Sequence, residues 1–256
     1  MTVMLLRRVE SLAVTAIVAG WATTVAGSVL GWRMEMGHHH VIEAGGSVLT
    51  GPVVFLAGWM VMVAAMMLPS SLGTIRWFGT LSGVREARTR RSVAFLAGYG
   101  AVWGAVGVAA LTGDAAIHDM THRWAWLGAR PWLIAGGALL IAGTFQLTAW
   151  SRHCRSTERR HVRSAFDCAI GTTTAITLGA EHGMIRLREC WPVMLLSFAF
   201  GMTSLIWMAG LTALMIAERS PRLAARTALA SGAVFLVAAA LVLLAPGRLP
   251  AGLLPA

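Results

Sequence analysis

The chain's apolar runs, several of them about as long as the roughly 20 residues a helix needs to cross a bilayer, leave it few folds to choose from. They cover roughly 9–31, 51–72, 93–112 and 131–150, a weaker stretch at 165–181, then 191–217 and 227–245. Of the 256 residues, 57% are hydrophobic and only 12% charged, about half the charge a soluble domain of this length carries. No long polar linker divides the sequence. The expectation is an all-α, polytopic transmembrane helix bundle of about seven helices, one integral membrane domain over residues 1–256.

The arginines sit between the apolar runs, and positive charge retains a short loop on the cytoplasmic side. Arg7 and Arg8 place the N-terminus inside. The segments with Arg76, Arg85, Arg88, Arg90 and Arg91, with Arg152, Arg155, Arg159, Arg160 and Arg163, and with Arg219, Arg222 and Arg226 are basic as well. All fall inside if 165–181 spans, which favours seven helices with the N-terminus cytoplasmic and the C-terminus outside. Six helices with a re-entrant 165–181 segment is the alternative. The setting expected is a bacterial plasma (inner) membrane, crossed several times, with the first run an uncleaved helix rather than a signal peptide. A net charge of +10 would suggest nucleic acid in a soluble protein. Here the charge is accounted for by loop retention, and the expected partner is the lipid bilayer, not nucleic acid.

The second run reads Trp59-Met60-Val61-Met62-Val63-Ala64-Ala65-Met66-Met67-Leu68-Pro69-Ser70, four methionines within a few turns before a proline. Thioether sulfur fills gaps between helices and is also a soft ligand for Cu(I). Met60 and Met67 are seven apart and share one face, whereas Met62 and Met66 are four apart and share another. Met194, Met202, Met208 and Met215 on the 191–217 run offer a second wall. Spacing alone favours packing, with ligation open.

Titratable ligands gather on the expected outer side: His38, His39 and His40 between Glu35 and Glu43, and His118 with His122 after Asp114. Four apart, His118 and His122 share a helical face and could chelate one ion. The competing reading is a set of solvated loop residues. Imidazole suits Zn, Cu(II) or Ni, and added methionine shifts the expectation toward copper, Cu(I) in particular. The cysteines, Cys154, Cys168 and Cys190, form no CxxC pair. Gln146, Asp167, Cys168 and Cys190 are the polar suspects within or beside the runs, all expected near span ends. Gly100 and Gly104 permit close helix approach, and Tyr99 and Trp103, four apart, are expected to pack together. No nucleophile–base signature, phosphate loop or H-E-x-x-H pair is present, so no enzymatic activity is expected.

Several of these pieces together resemble a bacterial family described as predicted metal-binding integral membrane proteins, a domain of uncharacterised function. The likeness lies at Trp59 to Pro69, at Gly98-Tyr99 with Trp103, and at Phe145-Gln146-Leu147-Thr148 leading to Cys154-Arg155-Ser156. It continues from His182-Gly183 to Cys190-Trp191, then Met194, Gly201-Met202, Trp207-Met208-Ala209 and Glu218, so that about residues 50–220 are covered. Family members carry an HG-x-x-C-x-x-C-C-W stretch. Here Arg186 and Glu189 stand at the first two cysteine positions and only Cys190 remains, and a second cysteine expected near Cys154 is also missing. The resemblance implies metal binding, and the departures shift coordination from thiolate to methionine and histidine.

The expected function is binding or movement of a soft transition metal, with copper ion as cargo. Capture falls to His38, His39, His40, His118 and His122 outside, and transfer to Met60, Met62, Met66 and Met67, with His182 and Cys190 nearby. A metal-delivery or membrane partner protein is implied. The alternative is a non-catalytic membrane subunit or assembly factor whose methionines only pack helices. A proton-coupled small-molecule carrier is weaker, since no mid-span carboxylate is evident.

Overall fold

The computed structural model describes residues 2–29, 50–81, 85–124, 126, 130–148, 171–199, 205–220 and 223–245. These residues are helical almost throughout. Among the described residues there are seven helices: α1 (Thr2–Val29), α2 (Thr50–Leu81), α3 (Arg85–Arg123), α4 (Pro131–Leu147), α5 (Thr172–Ala199), α6 (Leu205–Arg219) and α7 (Ala224–Leu244). Among the described residues four stretches are long and apolar enough to cross a membrane: Ser11–Val29, Thr50–Ile75, Thr89–Ile117 and Ala224–Leu244, with Trp132–Leu147 a shorter apolar helix. The all-helical expectation holds.

The partition of the fifth and sixth runs does not. The weak 165–181 and strong 191–217 stretches were expected as separate spans. Instead one helix, α5, joins the end of the first to the beginning of the second, and the remainder forms α6. Polar residues at its centre, Glu181, His182, Arg186, Arg188 and Glu189, interrupt the hydropathy without interrupting the helix. Met194 therefore belongs to α5 while Met208 and Met215 belong to α6, so the second wall expected on one span is divided between two helices. Met202 lies outside the described residues.

The chain divides into two compact units, Met1–Ala109 with Ser156–Arg188, and Ala110–Arg155 with Glu189–Ala256. In the first, α1 lies on α2. A Cβ at Gly20 would come 3.1 Å from both the Val61 carbonyl oxygen and the Ala65 nitrogen, so glycine is what allows this approach. Pro69, inside α2, cannot donate to the carbonyl four residues back, that of Ala65. The Trp21 indole supplies the missing donor, its Nε1 meeting the Ala65 oxygen at 3.0 Å. The proline turn of α2 is thus held by a side chain of α1. On the other flank of α2, Trp59 Nε1 donates to the Trp103 carbonyl at 2.8 Å.

Helices α3 and α5 touch backbone to backbone. A Cβ at Gly98 would collide with the Ile176 carbonyl oxygen, and one at Gly179 with the Phe95 carbonyl oxygen. Gly183, one turn on, would meet Val102 Cβ at 3.1 Å. The expected close-approach pair was Gly100 and Gly104. Gly104 has nothing near and Gly100 only the Met60 Cε at 3.8 Å, because the 3.6-residue repeat turns both away from the seam that Gly98 occupies.

In the second unit α7 packs on α4 through glycines of both helices. Gly136 lies against Leu243, Gly143 against Leu236, and Gly232 against Leu147. Gln146, buried at the end of α4, donates from Nε2 to Glu218 Oε1 of α6 at 2.6 Å. Ser231 Oγ of α7 approaches the same oxygen at 3.5 Å. The outward positions of α7 are apolar, among them Val234, Val237, Leu241 and Leu244, while Ser231 and Gly232 face inward.

Replacing Gly179 by Ala forces apart the α3–α5 seam, a clash with backbone rather than with a movable side chain. Gly179→Ala is expected to destabilise the protein by about 1–3 kcal/mol, whereas Gly104→Ala is expected to be neutral or stabilising by up to about 1 kcal/mol. Thermal unfolding of the two variants in detergent measures the contrast.

Candidate functional site

Two serines follow Pro69, and both meet α5. Ser70 Oγ donates to the Met67 carbonyl at 2.8 Å and accepts from Arg186 Nη2 at 2.6 Å. Ser71 Oγ lies 3.4 Å from His182 Nε2 and 3.5 Å from the Tyr99 hydroxyl, both at the long limit of hydrogen bonding. All five side chains are buried: Ser70, Ser71, Tyr99, His182 and Arg186 are each no more than 6% exposed. Three helices of the first unit, α2, α3 and α5, build this polar cluster within an apolar surround.

The helix geometry explains the assembly. His182 follows Gly179 by one turn, and the glycine seam brings α5 close enough for the imidazole to enter between Phe95 and Tyr99. These two are four apart on α3, so they flank one slot. The ring centroids lie 5.8 Å and 5.7 Å from that of His182. Tyr99 in turn packs on Trp103 at 6.2 Å, as their spacing predicted. On α5, Ala175, Gly179, His182, Arg186, Cys190, Val193 and Ser197 recur every three or four residues and are all buried. That stripe makes His182 and Arg186 neighbours one turn apart.

The methionines lie one turn below the serines. Met66 precedes Ser70 by four residues, and Met67 precedes Ser70 and Ser71 by three and four, so they share faces with the hydroxyls that meet α5. Met66 and Met67 are fully buried and Met62 is 2% exposed, but Met60 is 38% exposed. Met60 and Met67, seven apart, were expected to share one helix face. The helix keeps their angular register, yet their cover differs, since α2 is enclosed near Pro69 and open near Met60.

The other candidates are distributed as follows. Cys190 is buried, not near the start of a span as expected but well inside α5. It lies eight residues beyond His182, about 12 Å of helical rise, so the two are separate positions along α5. Met194, one turn past Cys190 on the same face, is buried too, as are Met208 and Met215 on α6. His118 and His122 lie on α3, and their side chains fall outside the description, as does all of His38, His39 and His40. Among the described residues no three His, Cys, Asp or Glu side chains come together as a metal site.

The metal-ligating groups on offer, imidazole and thioether, are uncharged, and the thioether is soft. In the tautomer that donates from Nε2 to Ser71, His182 carries its lone pair on Nδ1, and a hydrogen-bonded second nitrogen is what fixes the ring of a metal-binding histidine. Thioethers suit Cu(I) and bind hard divalent ions poorly. Sequence reasoning singled out His182, Met66 and Met67 but not Ser70 or Ser71, and it noted Arg186 only as standing where a cysteine is usual. The signal for Arg186 was its spacing: four residues after His182 and four before Cys190, a charged residue on the buried stripe of an apolar helix, where charge is costly.

Ser70→Ala removes an acceptor from a buried guanidinium and is expected to cost about 1.5–3 kcal/mol. Ser71→Ala, whose contacts are long, is expected to cost less than about 1 kcal/mol. Denaturation of both variants in the same detergent orders the two hydroxyls.

Comparison with known proteins adds one match. A family model described as PpoB2, copper chaperone, covers residues 56–242, from the second helix to the last. No curated protein and no solved structure matches the chain. The matched span holds the methionine helix, the serine pair, the α3–α5 seam and the whole buried stripe of α5, and by it this chain belongs to the PpoB2 copper chaperone family.

Proposed function

We propose that the protein is a multi-pass membrane carrier of copper, taken as Cu(I), and acts without catalysing a reaction. Membership of a copper chaperone family and four helices apt to cross a bilayer support this reading. The observation that carries it is the copper chaperone family match over residues 56–242, a span that includes the fully buried Met66 and Met67 and His182, which meets the Ser71 hydroxyl. Thioether and imidazole ligands hold Cu(I) firmly enough to bind it and loosely enough to release it, as a carrier requires.

In the proposed path the outer histidines His38, His39, His40, His118 and His122 collect the ion. Met60, which is 38% exposed, and Met62 lead it along α2 to Met66, Met67 and His182. Cys190 and Met194, further along α5, form a later stop. The N-terminus is placed in the cytoplasm of a bacterial cell by its arginines, and a metal-delivery or membrane partner protein exchanges copper with the carrier.

The complete burial of Met66 and Met67 equally favours a second reading, a membrane subunit or assembly factor in which these side chains only pack helices. Leucine separates the two, because it replaces methionine in a core at a cost below about 1.5 kcal/mol and ligates nothing. Purified wild type is expected to retain copper and to bind Cu(I) in a competition titration. The Met66→Leu/Met67→Leu variant is expected to keep its melting temperature within a few degrees and to bind Cu(I) at least about tenfold more weakly, a loss of about 1.4 kcal/mol or more. His182→Gln is expected to weaken binding similarly. Equal copper binding by wild type and the leucine variant would leave the packing reading standing.

A further inference from the structure

We infer that the start of α5 and the neighbouring turn of α3 form a binding site for a phosphate group, independent of the proposed copper site. Among the described residues, Ser92 Oγ of α3 and Thr172 Oγ1 of α5 are buried hydroxyl oxygens without a hydrogen-bond partner. Ser92 is 2% exposed. A buried hydroxyl left unsatisfied is costly, so two of them at one place point to a group that the chain itself does not supply.

The α3–α5 seam puts them at one place. Its contacts advance together along both helices, Phe95 with Gly179, Gly98 with Ile176 and Ala180, and Val102 with Gly183, so the two helices run parallel. Ser92 lies six residues before Gly98. Thr172 lies four before Ile176 and eight before Ala180, the two residues that Gly98 abuts. Both hydroxyl residues therefore stand about 9 Å of helical rise before the Gly98 contact. Thr172, seven residues before Gly179, is on the seam face of α5. Ser92, three before Phe95 and seven before Tyr99, is on the face of α3 that flanks the seam.

That end of the helix pair suits an anion. The first N–H groups of a helix have no intrahelical acceptor and form the positive end of its dipole. Gly171, whose carbonyl accepts from the Ala175 N–H at 3.1 Å, opens α5 and has no side chain with which to cap them. Thr173 and Thr174 are exposed, which leaves a way in. The preceding turns of α3 carry Arg85, Arg88, Arg90 and Arg91 against Glu86, adding positive potential. The oxygens of one phosphate group can accept from Ser92 Oγ, Thr172 Oγ1 and the first N–H groups of α5 together. The stretch of α3 apt to cross a membrane starts at Thr89, which sets the site at the level of lipid headgroups. A phospholipid and free phosphate are the two sources of such a group.

The experiment follows thermal unfolding of the full-length protein in an uncharged detergent at constant ionic strength. Inorganic phosphate, dioctanoyl phosphatidylglycerol or, as the phosphate-free control, dioctanoylglycerol is added to wild type, Ser92→Ala and Gly171→Asp. Wild type is expected to melt several degrees higher with a phosphate-bearing probe and not with the control. A rise with inorganic phosphate marks a site open to the free ion, and a rise with phosphatidylglycerol alone marks a lipid headgroup. Ser92→Ala removes an unsatisfied hydroxyl, so it is expected to keep its stability without ligand and to need about tenfold more probe for the same rise. Gly171→Asp is accommodated, since a Cβ there meets only Thr174 Oγ1 at 3.8 Å and aspartate caps a helix at least as well as glycine. Its carboxylate takes the place of the anion, and the rise is expected to vanish. No rise in wild type with either phosphate-bearing probe, or a rise undiminished in both variants, overturns the inference and leaves the copper reading untouched.

Discussion

The candidate site depends on the backbone contact between α3 and α5. Where Gly98 faces the Ile176 carbonyl and Gly179 faces the Phe95 carbonyl, a single methyl group would hold the two helices apart. Their closeness lets the His182 ring enter between Phe95 and Tyr99 and reach the serine pair of α2. Close packing through small residues is what membrane helices use where apolar burial supplies no driving force between them. Here it also brings polar groups together. Without the seam, His182 and Arg186 would be isolated polar residues on an apolar helix, each costly. With it, they find hydroxyl partners on α2.

The proline turn of α2 follows the same logic from the other side. Pro69 leaves the Ala65 carbonyl without its helical donor, and Trp21 of α1 restores the bond. One helix turn later, Ser70 and Ser71 receive Arg186 and His182. The methionine segment is thereby fixed at its C-terminal end by hydrogen bonds from two other helices, where Met66 and Met67 are fully buried. Buried thioethers suit a soft monovalent ion better than a hydrated divalent one, in keeping with membership of a copper chaperone family.

Much of this was legible in the sequence. The apolar runs gave the helical class, the Tyr99–Trp103 spacing gave their packing, and the Met60 to Pro69 segment with His182 gave the residues on which the proposed site is built. What was not legible shares one physical cause, which is that it depends on which helix faces which. Gly98 and Gly100 are indistinguishable in sequence, and only the orientation of α3 decides that the first lies in the seam. The run over 191–217 looks like one span by hydropathy, yet its first third completes α5 because the helix tolerates the polar residues from Glu181 to Glu189. Arg186 reads as a lost cysteine until Ser70 is seen to receive it.

The central claim is that methionine sulfur on α2, together with His182, forms the copper-carrying site. X-ray absorption at the copper edge of the purified, Cu(I)-loaded protein tests this most directly, because it distinguishes sulfur from nitrogen and oxygen neighbours. The account predicts a mixed shell of sulfur and imidazole nitrogen whose sulfur contribution disappears in the Met66→Leu/Met67→Leu variant. A shell of nitrogen and oxygen alone, or a sulfur shell unchanged in that variant, would contradict it.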